Sequence, residues 1–342
     1  MIIRSKAPFR LGLAGGGTDV SPFSDTYGGA VLNATINLFA YATIIPRKDQ
    51  KIILNAQNLN ECETHPFKSP LPINGSLDLQ KGVFNRVSKT FGEPSTGFEL
   101  ITDADVPSGS GLGTSSTIVV AILGAFVEWL RLPLGKYDIA QLAYQIERED
   151  LRMAGGKQDQ YAATFGGVNF MEFLANDKVV VNPLRLKKKW LNELELNMVL
   201  YYTRTSRESA KIIETQAENV LQKREKPIQA MQELKTQAFD MKSKLLSGQL
   251  KKLGDILNKS WHHKKAMAIG ISNETIDDIY NQAIDMGAIG GKMSGAGGGG
   301  FMIFYVPWRK KQNLIHYLSE MGGECYRFEF SKKGLTTWTI KS

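Results

Sequence analysis

Apolar and polar positions follow two rhythms along the chain, and each change of rhythm marks an element. Ile2 to Leu13 reads as a strand, and Ala30 to Pro46, rich in Val, Ile, Thr and Tyr, as further strand. Phe98 to Thr102 alternates in part and is a shorter one. Thr114 to Leu130 is apolar nearly all round, the pattern of a buried helix. Tyr137 to Met153 predicts a second helix with Ile139, Leu142, Ala143 and Ile146 on one face, and Val168 to Phe173 and Lys178 to Val181 are short strands. The character changes at Lys187-Lys188-Lys189, and Met198 to Thr203 opens a second unit as a strand. Helices are expected over Ser206 to Leu221, Ile228 to Leu246 and Leu250 to Met267, punctuated by Pro227 and Gly248, with Asn273 capping another that runs to Met286. Phe301 to Val306 is a strand, Lys310 to Met321 a helix, and Tyr326 to Phe330 and Leu335 to Ile340 are closing strands.

This order of elements is α+β, with no internal repeat of 20 to 50 residues. Two domains suit a chain of 342 residues, and the boundary is placed at 190/191, giving units 1–190 and 191–342. With 42% hydrophobic and 22% charged residues the composition is globular, which excludes a disordered or fibrous chain. The longest apolar run, Ile118 to Leu130, is broken by Gly124 and Glu128 and is too short to span a bilayer. Charge interrupts the N-terminus before a signal peptide could accumulate, and Cys62 and Cys325 sit in no disulfide or metal-ligand spacing. A reduced, cytoplasmic protein with no membrane partner is expected. The net charge of +8 suits an anionic partner without choosing between nucleic acid and a phosphorylated small molecule.

Glycine narrows the choice. Four short segments, Gly12–Gly29, Gly109–Gly113, Gly155–Gly167 and Gly290–Gly300, hold 20 of the 33 glycines, so the surplus marks places where backbone bends sharply or approaches a ligand. In Pro107-Ser108-Gly109-Ser110-Gly111-Leu112-Gly113-Thr114-Ser115-Ser116 a glycine-rich turn runs straight into the buried helix. Free N–H groups at a helix start, the positive end of its dipole and nearby hydroxyls make an anion cradle whose natural guest is phosphate. The turn is not a Walker A loop, and the H-R-D and D-F-G elements of protein kinases are absent. Lys292 to Gly300 satisfies G-x-G-x-x-G nominally but precedes a strand where a dinucleotide fold needs a helix.

Together these segments resemble the GHMP kinases, the family of the galactose, homoserine, mevalonate and phosphomevalonate kinases. The first family motif looks like Lys6-Ala7-Pro8-Phe9-Arg10-Leu11-Gly12-Leu13-Ala14-Gly15-Gly16-Gly17-Thr18-Asp19; the second is the Pro107–Ser116 loop, and the third is Lys292–Gly300. Their order and spacing span nearly the whole chain. The resemblance implies an N-terminal domain with a left-handed βαβ crossover, a C-terminal ferredoxin-like domain, ATP across the second motif, and a requirement for Mg2+. Where galactokinase-like members carry Glu-His before Thr-Asp, this chain has Gly16-Gly17. That form, followed by Tyr27-Gly28-Gly29, is similar to the branch of the D-glycero-D-manno-heptose phosphate kinases and bacterial fucokinase-like proteins. It implies phosphorylation of heptose 7-phosphate at the anomeric hydroxyl, a step toward GDP-heptose for surface polysaccharide.

The same resemblance makes Asp159 the catalytic carboxylate, taking the acceptor's proton or orienting its hydroxyl, and Arg10 the cation beside it. It makes Ser115 and Glu147 the magnesium ligands, with Glu149 and Asp150 as competitors. Thr18 and Asp19, with Gly16 and Gly17, are expected to bind sugar hydroxyls, and Ser294, Gly295, Ala296 and Gly297 to face the substrate. A sugar phosphate needs basic partners, for which Arg4, Lys6, Arg152 and Lys157 are candidates by proximity to the motifs. Adjacent on a helix, His262 and His263 diverge by about 100° and read as structural rather than metal-binding. Lys187-Lys188-Lys189, Arg309-Lys310-Lys311 and Lys332-Lys333 read as solvated faces. The rival readings are a kinase of an unphosphorylated sugar and an RNA-binding protein. The second would need aromatic platforms among the basic residues, and none is found, so no nucleic-acid partner is expected.

Overall fold

A computed structural model describes residues 1–205 and 209–341. The first sheet is built on two long antiparallel strands, β1 (Ile2–Ala14) and β2 (Gly29–Arg47), joined through the short helix α1 (Phe23–Tyr27). β3 (Lys51–Ala56) and β4 (Glu61–Pro66) form a hairpin, and α2 (Asp78–Phe91) leads to β5 (Gly97–Ala104), which pairs β3 in parallel and β2 antiparallel. None of the elements between β2 and β5 had been read from the sequence. The expected buried helix is α3 (Thr114–Leu130), with every residue from Ser116 to Phe126 buried. Its Phe126 meets Phe84 of α2 and Phe98 of β5 with ring centroids 5.5 to 6.5 Å apart. Truncating such a ring to Ala costs about 3–5 kcal/mol.

Then come α4 (Lys136–Gln145), ending in a π-helical turn over Ile146–Asp150, and α5 (Gln158–Phe165). β6 (Val168–Phe173) pairs with the first half of β2, and β7 (Val179–Pro183) pairs with β6. The predicted helix to Met153 thus stops at Asp150, where the chain turns into the Gly155 segment.

α6 (Lys188–Asn197) leads into β8 (Met198–Tyr202). Four helices follow: α7 (Ser209–Leu221), α8 (Glu225–Leu246), α9 (Lys252–Met267) and α10 (Glu274–Asp285). Asn273 caps α10, its Oδ1 accepting from the N–H of Ile276 at 3.0 Å. The expected start of α7 at Ser206 lies outside the described residues. After the hairpin β9 (Gly290–Met293) and β10 (Phe301–Tyr305) come α11 (Trp308–Glu320) and β11 (Glu324–Tyr326). The second sheet runs β11-β8-β10-β9, all antiparallel, which with helices between β8 and β9 and between β10 and β11 is the ferredoxin-like arrangement. Its faces alternate as a strand period of two demands: Leu200, Ile303 and Phe301 enter the large core shared with the first sheet, while Val199, Tyr201, Met302 and Phe304 enter a second core under α9 to α11.

The division at 190/191 needs one correction. The final strand, β12 (Thr336–Ile340), leaves the second unit and pairs antiparallel with β1, from Ile2 opposite Ile340 to Lys6 opposite Thr336. Ala238, Met241 and Leu245 of α8 likewise belong to the first core. The halves share the first core, while the second core lies almost wholly within the C-terminal half, and the cleft described next lies where the halves meet.

Candidate active site

Pro8 breaks the β1–β2 ladder. A residue without an N–H cannot donate, and the register slips between Pro8, opposite Phe39, and Arg10, opposite Thr35. The bulge turns Arg10 inward, where its side chain is 5% exposed. Its Nε donates to Asp159 Oδ1 at 2.7 Å, and its Nη1 donates to the Gly111 carbonyl at 2.7 Å and to Ser294 Oγ at 3.4 Å. One guanidinium thereby ties together all three motifs and the Asp159 helix. Asp159 sits in the first turn of α5, not in a loop, and is still partly open to the cleft.

Asp159 crowds the start of α3. A Cβ on Gly113, which precedes that helix at φ +80°, would lie 2.9 to 3.2 Å from the Asp159 side chain, 3.0 Å from Oδ2. No side chain caps α3, so its first N–H groups face the cleft unblocked. The loop before it is divided in role. Gly109, Gly111, Gly113, Thr114, Ser115 and Ser116 line the cleft. Pro107 and Ser108 are exposed outside it, whereas Ser110 and Leu112 are buried behind. Ser110 Oγ lies 2.9 Å from Thr114 Oγ1, and the Ser110 and Leu112 carbonyls accept from Phe301 and Arg10 N–H.

The third motif chiefly holds this loop. A Cβ on Gly111 would stand 2.3 Å from the Ser294 carbonyl, one on Gly295 2.6 Å from the Gly111 carbonyl, and one on Gly300 2.3 Å from the Ser110 carbonyl. Only glycine permits this backbone-to-backbone docking. Gly295 and Ala296 reach the cleft, but Ser294 is buried and Gly297 abuts Ile271, which corrects their assignment to the substrate. Lys292 Nζ donates to the Gly12 carbonyl at 2.8 Å; burial, then the charges of Lys264 and Arg10, push its pKa well below the ordinary lysine range.

Glu147 comes from the π-helical turn, is 1% exposed and lines the cleft. It accepts from Gln160 Nε2, and its nearest cation is Arg148 Nη1 at 3.8 Å. Burial raises its pKa, opposed by Arg148 and by hydrogen bonds from Ser116 and Gln160. Its two rivals are engaged elsewhere: Asp150 is held by Arg86 through two 2.6 Å bonds, and Glu149 points to solvent. Among the described residues no cluster of three or more His, Cys, Asp or Glu could hold a metal by itself.

On the opposite arm of the first motif, Gly16, Gly17 and Asp19 line the cleft. Asp19 accepts from the N–H groups of Gly17 and Gln158 and from Gln158 Nε2 at 3.0 to 3.1 Å. Burial and then the Asp159 charge raise its pKa, and the backbone bonds only partly compensate. Thr18 proves structural. Fully buried, its hydroxyl donates to the Gly15 and Ala30 carbonyls and accepts from the Ala30 N–H, locking the turn. Lys157 points away, paired with Asp177 at 2.6 Å and Asp25 at 3.2 Å. Arg4 and Lys6 lie outside the cleft, Lys6 over the Phe39 ring. Of the four proposed phosphate partners only Arg152 lines the cleft, at its exposed rim.

Sequence reasoning missed Arg148, Glu214, Gln216 and Lys264, which also line this cavity of about 390 Å³. Gln216 Nε2 donates to the Gly17 carbonyl at 2.7 Å, bringing α7 over the first motif. Lys264 was detectable, because a lysine three residues after Trp261 falls on the apolar face of α9. The cleft therefore sets an anion-receiving helix terminus, an Arg10-paired carboxylate, a second buried carboxylate and an acceptor-sized recess side by side. That is an arrangement for phosphoryl transfer.

The comparisons agree. The model of the GHMP kinases N terminal domain matches residues 78–167, and that of the GHMP kinases C terminal matches residues 241–323. A D-glycero-alpha-D-manno-heptose 7-phosphate kinase of Campylobacter jejuni is 50% identical over 338 residues, 99% of each chain. A crystal structure of a D-glycero-D-manno-heptose 1-phosphate kinase from Bacteroides thetaiotaomicron is 45% identical with a TM-score of 0.85, covering 99% of this chain and 100% of that one. The Lactococcus lactis galactokinase complexed with galactose, at 20% identity and a TM-score of 0.81 over 98% and 95% of the two chains, shares the fold. Motifs, topology and relatives converge: the chain belongs to the GHMP kinases and is a phosphotransferase with an alcohol group as acceptor.

Proposed function

We propose that the protein transfers the γ-phosphoryl group of ATP to the anomeric hydroxyl of D-glycero-D-manno-heptose 7-phosphate, giving the 1,7-bisphosphate and ADP. The observation that carries the reading is the Arg10–Asp159 pair at 2.7 Å beside the uncapped start of α3, in a chain half identical to a heptose 7-phosphate kinase along its length. Phosphates of ATP lie against the N–H groups of Thr114 to Ser116. Asp159 receives the acceptor hydroxyl on Oδ2, the oxygen that Arg10 Nε leaves free. The hydroxyl oxygen attacks the γ-phosphorus, the bond to the β-bridging oxygen breaks, and the proton passes to Asp159 and then to solvent. Phosphoryl transfer depends chiefly on positioning, so the principal work of Asp159 is to orient the hydroxyl while charge is neutralised around the phosphoryl group. Asp19, Gly16 and Gly17 form the sugar wall.

Magnesium fits the donors present: Glu147 offers a buried carboxylate whose one counter-charge among the described residues, Arg148, sits at 3.8 Å, and Ser115 a hydroxyl at the helix start. These two would hold the ion, which supplies charge neutralisation on the phosphate oxygens. Ser115→Ala is expected to raise the magnesium concentration for half-maximal activity by at least about tenfold; a titration superimposable on wild type would remove Ser115 from the metal site. Among the described residues no helix is long and apolar enough to cross a membrane, which accords with cytoplasmic chemistry on soluble substrates.

The acceptor is tested with a panel of sugars and sugar phosphates by coupled ADP release, with 31P NMR of the product. The heptose 7-phosphate should give the highest kcat/KM and a new anomeric phosphate signal. Preference for free fucose or galactose would replace this assignment.

A further inference from the structure

The cleft is lined by five basic side chains, Arg10, Arg148, Arg152, Lys264 and Lys292. Three are already engaged. Arg10 holds Asp159 and the Gly111 carbonyl, Lys292 holds the Gly12 carbonyl, and Arg148 donates to the carbonyls of Met153, Ala154 and Gly156. Arg152 stands exposed at the rim. Lys264 is different: it is 2% exposed, yet among the described residues no hydrogen bond or ion pair holds its ammonium. It lies on the face of α9 that packs toward the first motif, one turn from Met267, whose Cε would be 2.5 Å from a Cβ on Gly17. That is the wall formed by Gly16, Gly17 and Asp19, with Arg10 close enough to act on the ammonium charge.

Burying an ammonium without a partner is costly, and such a cost is retained where a ligand supplies the missing anion. We propose that Lys264 is a specificity residue that receives the non-reacting phosphate of the acceptor, a phosphomonoester dianion. The proposal rests on the reading above that the acceptor is a sugar phosphate. Arg152 lines the same cavity as an exposed, solvated cation.

The charged groups facing Lys264 are Arg10 from β1, Asp19 from the first-motif turn and Lys292 from β9, with Glu214 of α7 lining the same cavity. Burial, then the Arg10 charge, lower its pKa to about 8, with Asp19 opposing. The free enzyme therefore carries this charge below about pH 8 and loses it above. Acceptor phosphate binding should weaken on the alkaline side, where the substrate phosphate itself no longer titrates.

Wild type, Lys264→Met and Lys264→Arg are compared on D-glycero-D-manno-heptose 7-phosphate and on the same heptose without phosphate. Wild type should prefer the phosphorylated sugar. In Lys264→Met the ratio of the two kcat/KM values should fall at least about 30-fold, mostly through KM for the 7-phosphate, and Lys264→Arg should restore part of it. KM for the 7-phosphate should rise above about pH 8 in wild type and stay flat in Lys264→Arg. Because Met removes a buried charge that has no partner among the described residues, the Tm of Lys264→Met should equal or exceed that of wild type, so a fold defect is not expected to confuse the result. A wild type without preference overturns the sugar-phosphate reading and this one with it. A preferring wild type whose discrimination survives in Lys264→Met, or a variant that loses both acceptors equally, overturns the role of Lys264 alone.

Discussion

Asp159→Asn lowers kcat by about three orders of magnitude, within the range for removing a positioned acid–base group, and leaves ATP affinity equal or tighter. The asymmetry follows from the geometry. Asn can keep the Arg10 bond through its carbonyl, but it turns an NH2 toward the acceptor hydroxyl, so the attacking oxygen loses its acceptor and its aim. Meanwhile Arg10, buried and still donating to the Gly111 carbonyl, loses its counter-charge beside the phosphate loop. Nucleotide binding by calorimetry and single-turnover kinetics separate the two effects. Near-normal kcat in this variant would remove Asp159 from the reaction.

The second large effect is structural in origin. Gly295→Ala must place its Cβ 2.6 Å from the Gly111 carbonyl at φ +91°, and the obstacle is backbone on both sides, so no side chain can swing away. Gly322 has nearly the same φ, +87°, with nothing within 4 Å of its added Cβ. Gly322→Ala should therefore cost only the left-handed penalty of about 1 kcal/mol, while Gly295→Ala should cost at least about 3 kcal/mol and raise KM for ATP by displacing the loop that precedes α3. Urea unfolding measures the first difference and steady-state kinetics the second. Equal costs would show that loop docking contributes nothing beyond conformation.

The sequence was readable where physics is local. Thr114 to Leu130 could be bounded to the residue, because a helix apolar on every side has only one place to go. Residues 48–96 carried no comparable signal: β3 and β4 are short and half exposed, and α2 shows a modest apolar stripe of Val83, Phe84 and Val87. The charge run that reads as solvated is exposed at Lys187, Lys188 and Lys189, and the helix α6 that it opens buries Leu194 further on. Arg10 and Asp159 were identifiable as a pair only through resemblance, since nothing in the stretch between two residues 149 positions apart announces a 2.7 Å contact. Lys157 and Thr18 misled for the opposite reason. Each adjoins a functional residue in the chain, but backbone direction turns their side chains to Asp177 and to the Ala30 backbone. Neighbourhood along the chain is a poor guide to neighbourhood in a cleft.

The pairing of Ile2 with Ile340 also bears on how the protein comes into being. During synthesis β1 is made before the rest of both cores, while its outer partner is translated only after both cores have been encoded. Until then the strand carrying Arg10 presents an open edge able to pair with a neighbouring nascent chain. A kinase assembled in this order acquires its finished catalytic strand late, so premature stops near residue 335 should yield aggregation on the ribosome's timescale rather than a slightly weakened enzyme.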